Sequence, residues 1–477
     1  MLLASTPIFY SAFITLECLT PLSVKADDRD LTLDTRLVRD VNGYPILPGT
    51  SIAGVLRSVA RQCRADINQL FGQASDSQDI PSQIQVSFGF VHNHQNQPIM
   101  GLDMDALEST HEVDRCLKNL MPILRDQVAL NEYGVATKGA KMDRTAVPKG
   151  TRFSFELNWA TEVKNDEQWY KILAWLEHPE FRLGGLTHRG FGKVKVHQIR
   201  YQVYDFTQAE SLALWQQNRT LSFNAQNGQT HEQQICETAG YLKFSLNLMA
   251  EDFWRIGQGD KALGELGQDY TKEPDLKPYT EMVIVWSKSD VPNLESQQVV
   301  IPASGIKGAL RHRTLFHFRR LMGDLSDGME DKATFSNSEL KRLFGDIQGD
   351  GAQVGTLIMD DIYLEKTPLT KIMMHNKIDR FTGGTIDGAL FSEQLLYGGG
   401  FTLEGKIKES DGQSRQLLEA FTLALKDLAQ GRLALGGGST KGHGYFKADD
   451  IDLTQLEAVA AQRPNHPDYK QSEAQSA

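Results

Sequence analysis

Two glycine-rich loops in this sequence each set a hydroxyl and a cation among glycines. They are Gly184-Gly185-Leu186-Thr187-His188-Arg189-Gly190 and Gly436-Gly437-Gly438-Ser439-Thr440-Lys441-Gly442. Backbone amides in such a loop can turn toward an anion while Arg189 or Lys441 neutralises it, which is the chemistry of phosphate binding. Neither loop has the Walker order Gly-x-x-x-x-Gly-Lys-Ser/Thr. Tight-turn duty would explain the glycines alone, but not the matched hydroxyl and cation. A second pair of candidate sites begins at Pro48-Gly-Thr-Ser and Pro302-Ala-Ser-Gly. There Thr50, Ser51 and Ser304 stand where a helix starts, and Thr50 or Ser51 is placed to cap it beside unpaired amides that suit a phosphate. Arg57, Arg61 and Arg64 share one helix face, as do Lys307 and Arg311. Gly54 and Gly308 fall inside these helices, where glycine costs about 1 kcal/mol relative to alanine. A close neighbour is expected there, either a strand or a nucleotide; the plainer reading is strand packing beside a solvated basic face.

The pairing of motifs is a duplication. Leu183 and Leu435 open the matching loops, 435 − 183 = 252 positions apart, and Pro48 and Pro302 open the matching helices, 302 − 48 = 254 apart. A weaker match, Leu70-Phe-Gly72 with Leu343-Phe-Gly345, is offset by 343 − 70 = 273, so the second copy carries extra residues between its first motifs. A period this long is a domain, not a solenoid repeat.

The chain has 477 residues, 40% hydrophobic and 23% charged, with the composition of a globular protein. The expected division is a first domain over 1–223, a polar linker over 224–239, a second domain over 240–455 and a polar tail over 456–477. Cys18, Cys63, Cys116 and Cys236 form no CxxC pair, which argues against a zinc knuckle or a disulfide framework and for a reducing, cytoplasmic setting. The N-terminal stretch alternates like a first strand and reads as neither signal peptide nor membrane span. Net charge is −11, which alone lowers the expectation of a nucleic-acid partner. Distribution qualifies that: from Ile301 to Met322 stand Lys307, Arg311, Arg313, Arg319 and Arg320, and no acid.

The elements that must position these residues can be read within one copy. Ile8–Leu19 reads as a strand and Leu33–Arg39 as the start of another; the helical spacing of Ile52, Val55, Leu56, Val59 and Ala60 follows. Trp169–His178 reads as a helix stopped by Pro179, and Lys193–Ile199 as a closing strand. The second copy repeats this with strands at Tyr241–Met249, Phe401–Ile407 and Tyr445–Ala448 and helices at Ser304–Met322 and Leu417–Leu428. Two α+β domains in tandem, each with a ferredoxin-like βαββαβ core, are expected.

The block Pro-x-Ser/Thr with its following Gly-x-Leu-Arg, the segment Ile378-Asp-Arg-Phe-Thr-Gly-Gly384 running to Gly388-Ala-Leu-Phe391, and the terminal glycine loops resemble the RAMP superfamily of CRISPR proteins. The nearest likeness is to the Cas-seven backbone subunits of type III effector complexes, fused in tandem as in some type III-D systems. The resemblance implies a modified RRM core that binds crRNA, and thumb hairpins that kink the guide–target duplex. Asn131–Arg144 and Asn376–Gly388, with Asp379 and Arg380, would belong to the thumbs. It also implies partners: crRNA, target RNA, a large subunit and further RAMP subunits. In type III members an aspartate ahead of the Pro-Gly-Ser helix supports metal-dependent cleavage of target RNA, and Asp34 falls on that position. It would hold Mg²⁺ or Mn²⁺, or orient a 2′-hydroxyl for in-line attack; the plainer alternative is pairing with Arg36 or Arg39.

Aligning Val283-Ile-Val285 with Leu37-Val-Arg39 places Thr280, beside Glu281, where the first domain has Asp34. The second domain is therefore expected to bind without cutting, with Asp275, Glu281 and Asp260 as the acids that could overturn this. Histidine pairs offer rival, metal-free chemistry, yet His92, His94, His188, His312, His317, His375 and His443 do not recur at matched positions. His92-x-His94 is a weak metal pair. A purely structural RNA-binding subunit and a metal-independent pre-crRNA processing ribonuclease remain the alternatives to a target-cleaving one.

Overall fold

The computed structural model describes residues 6–26, 35–73, 79–131, 135–162, 164, 167–218, 229–231, 240–257, 259–264, 273–323, 338–345, 353–410 and 413–466. Asp34, Cys236, most of the expected linker and the last residues of the tail lie outside them.

Strand Ile8–Cys18 sends Tyr10, Ala12, Ile14 and Leu16 to one buried face, the period-two pattern its sequence carries. It is the sheet's centre, antiparallel to Arg152–Thr161, with Ala12 opposite Leu157, and to Val194–Asp205, with Ala12 opposite Tyr201. Ile84–Val86 continues the sheet beyond Arg152–Thr161. The four core strands thus lie in the order second, third, first, fourth. Helices Gly49–Gln62 and Glu167–Ala174 bury Ile52, Leu56, Val59, Trp169, Ile172 and Leu173 in the same core.

The second unit repeats this order. Tyr241–Ala250 lies between Gly400–Lys408 and Phe446–Asp452, and Leu357–Met359 extends the sheet past Gly400–Lys408. Helices Ala303–Met322 and Arg415–Ala429 cover it, burying Ile306, Leu310, Leu417, Phe421 and Leu425. Ser414 caps the second of these helices by accepting from the Leu417 amide at 3.3 Å, a contact of about 1 kcal/mol. Two ferredoxin-like units in tandem are therefore present.

Both outer boundaries move relative to the sequence expectation. Gln229–Thr230, inside the expected linker, pairs with the edge of the first sheet, Thr230 opposite Arg200. Thr454–Gln462, which crosses from the expected second domain into the expected tail, is a helix whose Leu456 and Ala460 enter the second core. Its apolar spacing lies in a polar stretch and becomes meaningful only against the Arg415–Ala429 helix.

Each unit projects a strand pair where a thumb is expected, extended in the second unit by Phe253–Trp254 along Phe391–Tyr397. Ile123–Leu130 pairs with Ala136–Ala146, and Leu369–His375 with Phe391–Tyr397. Their exposed apolar residues include Val128, Leu130, Leu369, Met374 and Leu390.

The extra residues before Pro302 form a hairpin, Thr280–Trp286 with Pro292–Ile301, where the first unit has only the turn from Asp40 to Tyr44. This hairpin clamps the first unit. Ile284 enters the first core, its amide donates to Lys149 O at 2.9 Å, and Trp286 Nε1 donates to Gly150 O at 2.7 Å. Gly150, at φ +85°, is required: a Cβ there would collide with Ile284 O.

Candidate nucleic-acid interface

The glycines of the two loops are fixed by close approach. Gly184 (φ +80°) and Gly436 (φ +87°) would drive a Cβ into Ser23 O and Arg255 O respectively. The next amide in each loop is spent inside the protein: Gly185 N donates to Ser23 O and Gly437 N to Arg255 O, both at 2.9 Å. Arg189 N and Lys441 N are likewise used, by Leu186 O and Gly438 O. These amides do not line an anion nest. The side-chain cations are then the groups to examine for a phosphate.

Around the first loop those cations come from both units. The 3₁₀ turn Thr187–Arg189 rests against helix Ala303–Met322 and strand Leu357–Met359 of the second unit, with His188 Nδ1 bonded to Gly355 O at 2.6 Å. Lys307 is buried and donates to His188 O at 3.1 Å and Leu357 O at 2.8 Å. It is not the exposed phosphate ligand its helical spacing suggested. Burial, then Arg189 and Arg311, lower its pKa to about 7. Burial and Arg311 also lower that of Arg189; burial and Arg189 lower that of Arg144. The Arg144 guanidinium lies 2.8 Å from where a Cβ on Gly185 would stand. Arg144, Arg189, Lys307 and Arg311 thus repel one another across the junction, an arrangement relieved by an anion.

The second loop has its own counter-charge. A guanidinium again faces the second glycine, Arg255 at 2.8 Å from a Cβ on Gly437, but it reaches there from a different segment. Glu393, 1% exposed, lies beneath. Arg255 Nε meets it at 2.8 Å, His375 Nε2 at 3.1 Å and Lys441 Nζ at 3.5 Å. His443 packs beside them, its pKa lowered first by burial. Sequence reading missed Arg144, Arg255 and Glu393, since nothing in their local context marks them. Two of the histidines that seemed unrelated in sequence are gathered here.

At the helix starts, Pro48 and Pro302 are the N-caps, so Thr50, Ser51 and Ser304 lie within the first turn and do not cap. In the second unit the Ala303 amide donates to Asp361 Oδ1 at 2.8 Å, so a carboxylate already sits where a phosphate was expected. Arg57 is half-buried and Arg61 exposed. A Cβ on Gly54 or Gly308 would meet no described protein atom within 4 Å. That removes the strand-packing explanation and leaves open space beside each helix. At the second thumb, Asp379 accepts from the amides of Phe381 at 2.9 Å and Thr382 at 2.8 Å, so it forms the turn. Arg380 lies over the Phe381 ring at 5.0 Å, and Phe381 is 85% exposed.

A model of the RAMP superfamily matches residues 15–195 and 284–447, one stretch in each unit and together well over half of the chain. The chain belongs to the RAMP superfamily. It is a tandem RAMP protein, of a family that works with RNA and other subunits in CRISPR ribonucleoprotein complexes. No curated protein matches it. Among the described residues no helix is long and apolar enough to cross a membrane.

Hydrogen bonds set the backbone register between the two RAMP units ahead of their first long helices. Val38 N donates to Val24 O at 3.1 Å as Tyr279 N does to Ile256 O at 3.0 Å; Thr145 N donates to Thr35 O at 3.3 Å as Gln394 N does to Leu276 O at 2.8 Å. Thr35 therefore corresponds to Leu276, and the residue before it in sequence, Asp34, to Asp275. Thr280 falls opposite Arg39, so the alignment that put it at Asp34's position is wrong. The clamp hairpin misled it, because the hairpin supplied the β-branched run used as anchor. Asp275 is exposed and accepts from Ser392 N at 2.9 Å and Ser392 Oγ at 3.1 Å.

Glu281 is removed as a candidate: it is buried and accepts from Arg125, from Tyr279 Oη at 2.6 Å and from Tyr363 Oη at 2.6 Å. Asp260 is exposed, and its carbonyl accepts from Lys277 Nζ at 2.9 Å. Among the described residues no three His, Cys, Asp or Glu side chains gather as metal ligands. His92 is spent, bonding Asn96 at 2.8 Å and Ser154 at 2.7 Å, and burial brings its pKa to about 4. His94 turns instead to Asp114 at 2.6 Å. The His92-x-His94 metal pair does not form.

Proposed function

We propose that this RAMP protein is a guide-binding backbone subunit of a type III CRISPR effector, of the tandem III-D kind, that also cuts guide-paired target RNA. The observation that carries RNA binding is the self-repelling set Arg144, Arg189, Lys307 and Arg311 at the junction of the units. Four cations from three segments, Arg144, Arg189 and the helix that carries Lys307 and Arg311, lower one another's pKa in a protein of net charge −11, and a phosphate backbone would relieve that repulsion. The open space at Gly54 and Gly308 lets nucleotides approach the flanking helices.

Cleavage is assigned to Asp34 and, by the matched hydrogen bonds, to Asp275 as well. The expectation that the second unit is silent drew on Thr280 and on the longer segment before Pro302; with Asp275 in register the first ground is gone, and the cut map decides between the two readings. An aspartate carboxylate suits Mg²⁺ or Mn²⁺, ions that keep several waters and take remaining ligands from RNA phosphate. Such an ion supplies charge neutralisation at the reacting phosphate. The protein's own work is to hold the splayed nucleotide so that its 2′-oxygen lies in line with the departing 5′-oxygen. The 2′-O–P bond forms as the P–O5′ bond breaks, leaving a cyclic phosphate and a free 5′-hydroxyl.

The test is a cut map of target RNA with the purified complex, with and without chelator. Two metal-dependent cuts are expected from this subunit, one lost with Asp34→Ala and one with Asp275→Ala. Full-rate cutting in chelator would instead favour histidine chemistry, for which His375 and His443 beside Glu393 are the grouped candidates. No cut assignable to either aspartate would leave a purely structural subunit.

A further inference from the structure

The contact between the two units is a charged lock built once. From the first unit, Arg182 Nη1 meets Asp360 at 2.6 Å, Lys193 Nζ meets Asp360 at 2.7 Å, and Arg152 Nη1 meets Asp290 at 2.8 Å. Arg125, 2% exposed, reaches Asp361 at 2.5 Å and also grips Glu281. Burial would push the Asp360 carboxyl up, but Arg182 and Lys193 overcome this and hold it at about 2. The clamp hairpin adds Ile284 and Trp286. In this set every cation belongs to the first unit and every anion to the second; one further pair, Lys408 Nζ with Glu180 at 3.1 Å, runs the other way.

Because the units repeat, each member has a counterpart on the face pointing away from the junction. Arg125 lies opposite Arg144 in its ribbon and Met373 opposite Glu393 in the other, so Met373 stands for Arg125. Glu17 pairs with Arg152 and Met249 with Gly400, so Gly400 stands for Arg152. The 252-residue loop offset puts Ala434 for Arg182 and Tyr445 for Lys193. None of the four is charged. On the opposite outer face, Leu47 pairs with Gly89 as Ile301 does with Ile362, which puts Ser87 and Phe88 for Asp360 and Asp361. Glu281 is answered by Asp40, which is turned into its own loop by the amides of Asn42 at 3.0 Å and Tyr44 at 2.7 Å. The hairpin, and Asp290 with it, has no counterpart there.

We propose that this charge set is the address that decides which RAMP units become neighbours, and that it bars copies of this chain from stacking on one another. The first unit's outer face lacks the carboxylates and the clamp; the second unit's outer face lacks the cations. In an assembly the neighbours at both ends are then RAMP-type subunits of other sequence. The inference does not depend on whether the chain cleaves RNA.

Sedimentation velocity of the full chain, alone and on single-stranded RNA long enough for several copies, reads this directly. One chain per particle is expected up to tens of micromolar. Head-to-tail arrays of the wild type would overturn the proposal. The positive arm writes the address onto the outer faces. One variant carries Met373→Arg, Ala434→Arg and Tyr445→Lys; the other carries Ser87→Asp and Phe88→Asp, where Phe88 is 54% exposed. Each is expected to stay monomeric by itself, and the two mixed to associate at least tenfold more tightly than wild type, the gain vanishing in high salt. Melting curves check the fold; if either variant melts early, Ala434→Arg with Tyr445→Lys is paired against Ser87→Asp. No gain on mixing folded variants would show that the charges do not decide adjacency.

Discussion

The two glycine loops share a sequence pattern and a backbone, yet they sit in opposite electrostatic settings. Gly184–Gly190 is ringed by Arg144, Arg189, Lys307 and Arg311, whereas Gly436–Gly442 lies over Glu393, which gathers Arg255, His375 and Lys441. In corresponding ribbon positions the first unit has Arg144 and the second Glu393. The loop motif supplies a shape, and the charge behind it is set by residues far away in sequence. The first loop is also closed over by the next unit, so Lys307 is buried, Arg144, Arg189 and Arg311 are half-buried, and the four repel one another. The second is open, and its cation is already paired. A phosphate should therefore count for more at the first loop.

The largest expected effect tests the closed side. Arg125→Met, which copies the residue standing at its counterpart position, leaves Glu281 and Asp361 buried without their cation and should destabilise the chain by about 3–5 kcal/mol in chemical denaturation. Met373→Leu at the counterpart should change stability by less than about 1.5 kcal/mol. Equal losses would show that the two ribbons are held alike.

Next come the carboxylates. Asp34→Ala and Asp275→Ala should each slow one cut by on the order of 100-fold while guide binding stays the same, as expected for a group acting on the reacting phosphate. If only one substitution changes the cut map, the units differ in chemistry despite their matched register.

RNA affinity measured against salt sharpens the comparison of the loops. Arg189→Ala with Arg311→Ala should lower the salt slope by about 1.4, from roughly 0.7 per single-strand phosphate contact. Lys441→Ala should lower it by less than about 0.7 because Glu393 already offsets that charge, and Glu393→Gln should raise affinity. A steeper loss at Lys441 would reverse the ranking.

The smallest effect concerns pH. Burial holds Lys307 near 7, against 10.5 for the ordinary side chain, so the folded chain resists a proton that the unfolded chain accepts. The cost is fully present below about pH 7 and is relieved as pH rises from 7 toward 10.5. Without RNA, thermal stability should therefore gain a rising component over that window, absent in Lys307→Met. A bound phosphate favours the protonated amine, so RNA binding near pH 7 to 8 should take up protons, as calorimetry in buffers of different ionisation heat would report.

The duplication, most strand and helix positions and the family were legible in the sequence, because they rest on local signals; the strand expected over Leu33–Arg39 was not, since Leu37 and Arg39 make only isolated bridges. Period-two alternation marks Ile8–Cys18, helical spacing marks Ile52 to Ala60, and glycines mark positions where a Cβ would collide with Ser23 O or Arg255 O. The roles of individual charges were not legible. Lys307 and Arg311 lie on one helix and look equivalent, yet one turn of helix separates a buried amine bonded to two carbonyls from a side chain in the cationic cluster. Glu281 looked like a misplaced catalytic acid and is half of a buried ion pair whose partner, Arg125, lies in the other unit. The helix Thr454–Gln462 and the clamp hairpin are tertiary decisions of the same kind, each drawing its stability from an apolar surface that only folding creates. Sequence determines local conformation because backbone sterics and side-chain periodicity act over a few residues; the charge a phosphate would meet depends on which distant side chains share a low-dielectric space, and tertiary structure decided that.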